Sequence, residues 1–228
     1  MRYVISPLAV VFLCGVATGH QPTMSDGSAA DADNAIEFQD VQISRVVYHE
    51  VADADSPLWI TFEVDRPQTL RVQLGLPKVD RLIDYRPSLV LLGPGWPPVD
   101  APFLPPDGLG GLRLDTDGLT DPEVFHEPFS GTTSWILVTE DVELPAAGRY
   151  YVVAFHPNGE AGKLWVALGV KEVFGLEDIL ALPQILAEVR AFHEMPAGAG
   201  PPCFLFPAAA ALAGLCLFGA HRRIARRR

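Results

Sequence analysis

Between residues 20 and 202 this chain contains no cysteine; its three are Cys14, Cys203 and Cys216. A disulfide inside that stretch is thereby excluded, and whatever folds there is held by its own core. No Asn-X-Ser/Thr acceptor occurs, because Asn34 and Asn158 are followed by the wrong residues. Both absences point towards a bacterial envelope protein. Catalytic signatures are also missing. There is no Gly-X-Ser-X-Gly, no His-Glu-X-X-His and no phosphate-binding loop. No two histidines stand two or four residues apart.

Positive charge is scarce in the same stretch. All 28 acidic residues lie in it, whereas Arg2 and five C-terminal arginines of the 17 basic residues lie outside. Eleven bases against 28 acids leave a net charge of about −17 on this part. Such a surface repels nucleic acid and anionic headgroups.

The two ends carry what the middle lacks. Residues 1–19 have one charge, Arg2, then an apolar run from Tyr3 to Val16, and Ala17 and Gly19 placed for a cut before His20. This is the layout of a secretory signal peptide, with an uncleaved N-terminal anchor as the alternative. Leu13 before Cys14 is too large for lipoprotein processing. Residues 203–220 carry no charge. As a helix they would measure about 27 Å, close to the ~30 Å hydrocarbon thickness. Five arginines follow within residues 222–228, which places the C-terminus in the cytoplasm and the middle outside.

The tail also resembles the three-part C-terminal sorting signals of bacterial surface proteins. Its parts would be residues 196–202, the apolar run 203–220 and the arginine cluster 221–228. That resemblance implies a tail that is processed rather than retained, with the domain transferred to the cell surface.

Residues 20–35, small, polar and acidic, read as a flexible leader. Residues 36–173 carry seven or eight strand patterns, among them 36–39, 58–64, 70–74, 88–92, 135–138, 150–155 and 164–168, punctuated by Pro, Gly and Asp. This predicts a mainly β, antiparallel sandwich. Leu144-Pro145-Ala146-Ala147-Gly148-Arg149-Tyr150 before a strong strand resembles the tyrosine corner of immunoglobulin-like sandwiches. It is also similar to a strand entry of bacterial pre-peptidase C-terminal domains. The resemblance implies a Tyr150 hydroxyl bonded back to the backbone, and says nothing about activity. Apolar spacing predicts an amphipathic stalk helix over 174–195, kinked or split at Pro183. It would pack on the sandwich or lie on a membrane surface. Residues 196–202 then link to the membrane segment.

Residues 93–133 form a long Pro/Gly-rich stretch, and loops of this length are often functional. Trp96, Phe103 and Phe129 would either form an exposed platform for glycan or peptide, or fold back over an open edge. Asp115, Asp117, Asp121 and Glu123 fall in an Asp-X-Asp-Gly pattern resembling the start of calcium loops. Alternate carboxylates there would face one centre while Gly118 permits the turn. The match is partial: counted from Asp115, position twelve is His126 rather than an acid. The calcium reading therefore stands beside that of a solvated acidic turn. Convergence of His49, His126 and His156 would make a zinc or copper site.

Three functions follow as expectations. The first is a membrane-anchored envelope module that binds proteins or glycans or has a structural role. The second is a metal-handling protein. The third is an extracytoplasmic hydrolase, with a pocket holding paired carboxylates or a Ser/His pair.

Overall fold

The computed structural model describes residues 20–128, 130–173 and 176–196, with side chains from 181 onward in the last segment. The signal-like residues 1–19, the apolar run 203–220 and the arginine tail lie outside the described residues. Among the described residues no helix is long and apolar enough to cross a membrane.

The described part is mainly β. Its strands are β1 (Gln21–Met24), β2 (Ile36–Phe38), β3 (Arg45–Val51), β4 (Leu58–Val64), β5 (Gln68–Pro77), β6 (Ser88–Gly93), β7 (Gly110–Leu114), β8 (Glu123–His126), β9 (Thr133–Leu144), β10 (Gly148–Phe155) and β11 (Gly162–Leu168). One helix, α1 (Leu176–Phe192), follows. The first sheet has the order β1-β3-β11-β5-β9-β8 and the second β2-β4-β10-β6-β7.

Period-two alternation explains the arrangement. In β5, Leu70, Val72, Leu74 and Leu76 are fully buried, while Thr69, Arg71 and Gln73 between them are not. Ile60 and Phe62 of β4, Leu89 and Leu91 of β6, and Tyr150 and Val152 of β10 meet them from the second sheet in one shared core. The result is sandwich-like.

Two features differ from the sequence expectation. The sheets are mixed rather than purely antiparallel: β1 pairs parallel with β3, and β2 parallel with β4. The cause lies in residues 20–38, of which 20–35 were expected as a flexible leader and 36–38 form β2. They contain β1, and they bury Ala29, whose carbonyl accepts the Trp59 N–H at 2.8 Å. The acidic tract 31–34 is closed on itself, with Asp31 accepting the Asp33 and Asn34 backbone N–H groups. The segment thus straps one edge of each sheet, which protects those edges from stray pairing. At the far sides β8 and β7 end the sheets.

Helix α1 runs as a single helix through Pro183 instead of splitting there. It packs on the fold, burying Leu186, Val189 and Phe192. The edge of Phe192 meets the Tyr48 ring at 5.1 Å. Glu194 takes the left-handed conformation at φ 57°, and the Met195 N–H reaches back to the Arg190 carbonyl at 3.0 Å. This turn satisfies the last carbonyls of the helix. Arg190 Nε donates to the Ser130 carbonyl at 2.8 Å, Lys163 Nζ to the Phe192 carbonyl at 3.2 Å, and Glu194 pairs with Lys163 and Arg81.

Candidate functional site

The residues singled out from sequence do not form a site together. Trp96 is turned inward: its ring meets Tyr150 edge-on at 5.4 Å and packs against the main core. Phe103 covers the outer face of the second sheet, edge-on to Trp59 at 5.0 Å and to Phe155 at 5.4 Å. These two aromatics form no exposed platform, because both rings pack against the fold. Phe129 lies outside the described residues. Among the described residues the Trp59 Nε1 beneath Phe103 is buried without a hydrogen-bond partner.

The acidic turn is likewise not a cage. Asp115 Oδ1 accepts Ser88 Oγ at 2.8 Å and Arg113 Nε at 2.7 Å. Partial burial works against its charge, but the Arg113 and Ser88 hydrogen bonds hold its carboxyl below the ordinary range. Thr116 turns its hydroxyl to the Pro87 carbonyl, Gly118 makes the turn at φ 79°, and Glu123 opens β8. Among the described residues no group of three or more His, Cys, Asp or Glu side chains, Asp117 and Asp121 included, is placed to hold a metal ion. The three histidines have separate partners. His49 lies between Ser25 Oγ at 3.1 Å and the Ser56 carbonyl at 2.9 Å. His156 stacks on Tyr85 at 4.7 Å. His126 reaches Thr133 Oγ1 at 3.1 Å.

What the fold does assemble is a groove on the outer face of the first sheet, a cavity of about 500 Å³. Val46, Ile136 and Trp165 form an apolar patch at its floor, with Ala167 in the same cluster and Tyr48 packed against it. Trp165 can lie flat there because its strand partner is Gly75, where an added Cβ would stand 2.2 Å from Trp165 Cζ2. Polar walls come from His20, Ser44, Gln73, Thr132, Ser134 and Thr139, and carboxylates from Glu123, Glu127 and Glu172. Among the described residues no Lys or Arg lines the groove.

Its electrostatics follow from that inventory. Burial lowers the His20 pKa against the pull of Glu127 and Glu172, so this imidazole is neutral at pH 7. Burial, assisted by Glu127, raises the Tyr48 pKa well above its ordinary value, so the phenol keeps its proton. The groove is therefore net negative, with hydroxyl donors between the carboxylates.

At one end stands a serine–imidazole pair. Ser134 Oγ is 3.1 Å from His193 Nε2, and His193 Nδ1 is 2.8 Å from the Val189 carbonyl. The carbonyl can only accept, so the Nδ1 nitrogen carries the proton and Nε2 accepts from the serine hydroxyl. Trp165 Nε1 donates to the same hydroxyl at 3.2 Å. This geometry supplies half of a nucleophile's activation. Ser134, however, sits inside β9, paired with Pro77 on one side and Phe125 on the other. The backbone around it is spent on the ladders, not turned towards a developing oxyanion. The pair works as a relay that fastens α1 to the sheet.

The tyrosine expected at the corner is where its motif implies. Tyr150 is buried, donates to the Ala146 carbonyl at 2.8 Å and accepts the Ala146 N–H at 3.2 Å. Sequence reading missed the groove because its residues come from five strands and the segments flanking them. One signal was present: Val46 and Tyr48 in β3, and Trp165 and Ala167 in β11, are apolar or aromatic at positions facing away from the core.

Compared with known proteins, the chain matches no family model and no curated protein.

Proposed function

We propose that this protein is an extracytoplasmic binding module tethered to a membrane, and that its ligand occupies the outer-face groove of the first sheet. In this reading residues 1–19 direct export and residues 203–220 cross the membrane once. The immunoglobulin-like sandwich stands outside, and the arginine tail stays in the cytoplasm. The groove carries the proposal. A concave surface with an aromatic floor, hydroxyl donors and convergent carboxylates is the usual form of a small recognition site. Envelope proteins, peptides and glycans are the ligand classes such a site suits.

The full-length protein in detergent, labelled with fluorotryptophan, tests this. A panel of peptides, glycans and amines is titrated in, and the Trp165 resonance is identified by its loss in Trp165→Phe. Ligand binding in the groove should move the Trp165 signal and leave Trp59 unchanged. Saturable binding that moves Trp59 or Trp96 instead would overturn the assignment.

A further inference from the structure

Resting on that reading, we infer that the groove takes an extended basic polypeptide segment, which pairs with the open edge of β8 and sets alternate Lys or Arg side chains against Glu123 and Glu127.

Three observations lead there. First, β8 ends its sheet, and all four of its residues are exposed, including Val124 at 55% and Phe125 at 43%. An edge strand with exposed apolar residues is a template for another strand. Second, the register says which backbone groups are open. The Glu127 N–H bonds to the Thr132 carbonyl at 2.9 Å, and Phe125 and Glu123 stand opposite Ser134 and Ile136. Alternation along an antiparallel ladder then turns the N–H and C=O groups of Val124 and His126 away from β9, towards the open edge. Third, Glu123, Phe125 and Glu127 all line the groove; Glu127 Oε2 already accepts the Ser130 N–H and hydroxyl, which fixes its carboxylate in place and leaves its negative charge on the groove wall. An added strand would face them with a basic–apolar–basic pattern at alternate positions, and Glu172 and the protonated Tyr48 lie farther in.

Charge selects this occupant over a second copy of the chain. Antiparallel pairing of β8 with itself about Phe125 would set Glu123 opposite Glu127, and like charges directly opposite destabilise a strand pair. A basic strand reverses the sign of that contact, and among the described residues no Lys or Arg lining the groove opposes it.

The test uses full-length protein in detergent and a short fluorescent peptide with lysine, valine and lysine at alternate positions between threonines. Anisotropy gives affinity, and the fluorotryptophan signal of Trp165 gives location. The peptide should bind, shift Trp165 and weaken with added salt. Glu123→Lys, an exposed substitution checked by an unchanged melting temperature, should weaken it about tenfold. The same peptide N-methylated at the residues facing β8 should also lose affinity, because its strand donors are gone.

Equal binding of the methylated peptide would overturn the edge pairing, as would a linear polyamine that binds as tightly as the peptide. A glutamate version or a neutral glycan that shifts Trp165 where the lysine peptide does not would overturn the basic partner while leaving the groove itself in place. Self-association of the protein that excludes the peptide from β8 would likewise overturn it. If none of these probes moves Trp165, the groove reading falls as well.

Discussion

Ser134 of strand β9 and His193 just beyond helix α1 are hydrogen-bonded at 3.1 Å, 59 residues apart in sequence. Through this contact the protonation state of one imidazole is coupled to the docking of the only α-helix among the described residues.

Acid should therefore loosen the fold. Burial, with a smaller contribution from the Lys163 charge, lowers the His193 pKa despite the Val189 carbonyl and Glu127. Burial also lowers the pKa of His20, His49 and His156. In the unfolded chain each takes up its proton near pH 6.5, in the folded chain only below that. Between those values the unfolded state binds more protons, so stability falls as pH drops through the window and is flat above it. Melting curves from pH 7.5 down to about 5 should show the decline, and His193→Gln should flatten it. A melting temperature that rises on acidification over this range would contradict the assignment.

Tyr150→Phe removes the hydroxyl that bonds to Ala146 in both directions. Urea denaturation should show a loss of about 0.5–1.5 kcal/mol. Gly93→Ala should cost more, about 1–3 kcal/mol by overpacking, because a Cβ at 93 would stand 2.1 Å from Tyr150 Cδ1. A glycine that tolerates alanine there would mean that the ring is free to move.

Asp115→Ala should cost about 1–3 kcal/mol, because it leaves the buried Ser88 hydroxyl without its acceptor. The Arg113 pair contributes little, since both partners are partly exposed. Calcium should leave the melting temperature of the wild type where chelator leaves it, because Asp115 is already satisfied by Arg113 and Ser88. A calcium-dependent rise would restore the metal reading of Asp115, Asp117, Asp121 and Glu123.

For the proposed topology, a reporter fused after Arg228 should be active in the cytoplasm, and one fused near Pro196 outside it. The opposite activities would reject the orientation.

Strands rich in β-branched, aromatic and aliphatic residues were legible, as β4, β5, β10 and β11 show, and so was the bond from the Tyr150 hydroxyl back to the backbone. Three things were not. Residues 21–24, Gln-Pro-Thr-Met, carry no strand signal; β3 recruits them through parallel backbone pairing, aided by Gln21 side-chain bonds with Arg45 and the Val173 carbonyl. Strands β7 and β8 are hidden among Pro and Gly because each is an edge strand with one partner and little burial. The groove was invisible for a different reason. Tyr48, Trp165, Glu123 and Glu172 come from distant stretches, and only the strand order brings them together. Asp-X-Asp-Gly, conversely, looked like a site because local spacing cannot show that Arg113 and Ser88 already occupy the carboxylate.

The chain leaves the fold through the end of α1, where His193 is held by Ser134, the Phe192 carbonyl by Lys163, and Glu194 by Arg81 and Lys163. Any tension from the C-terminal side arrives at these contacts first and strains them one after another, as in peeling tape. The strands of the first sheet are instead joined by ladders of many bonds, β5 with β9 the longest, so they bear load only after α1 has lifted. In the proposed topology, a tug on the tether would thus lengthen the chain by an undocked helix while both sheets keep their shape, and the α1 contact would act as a shock absorber between the proposed anchor and the groove.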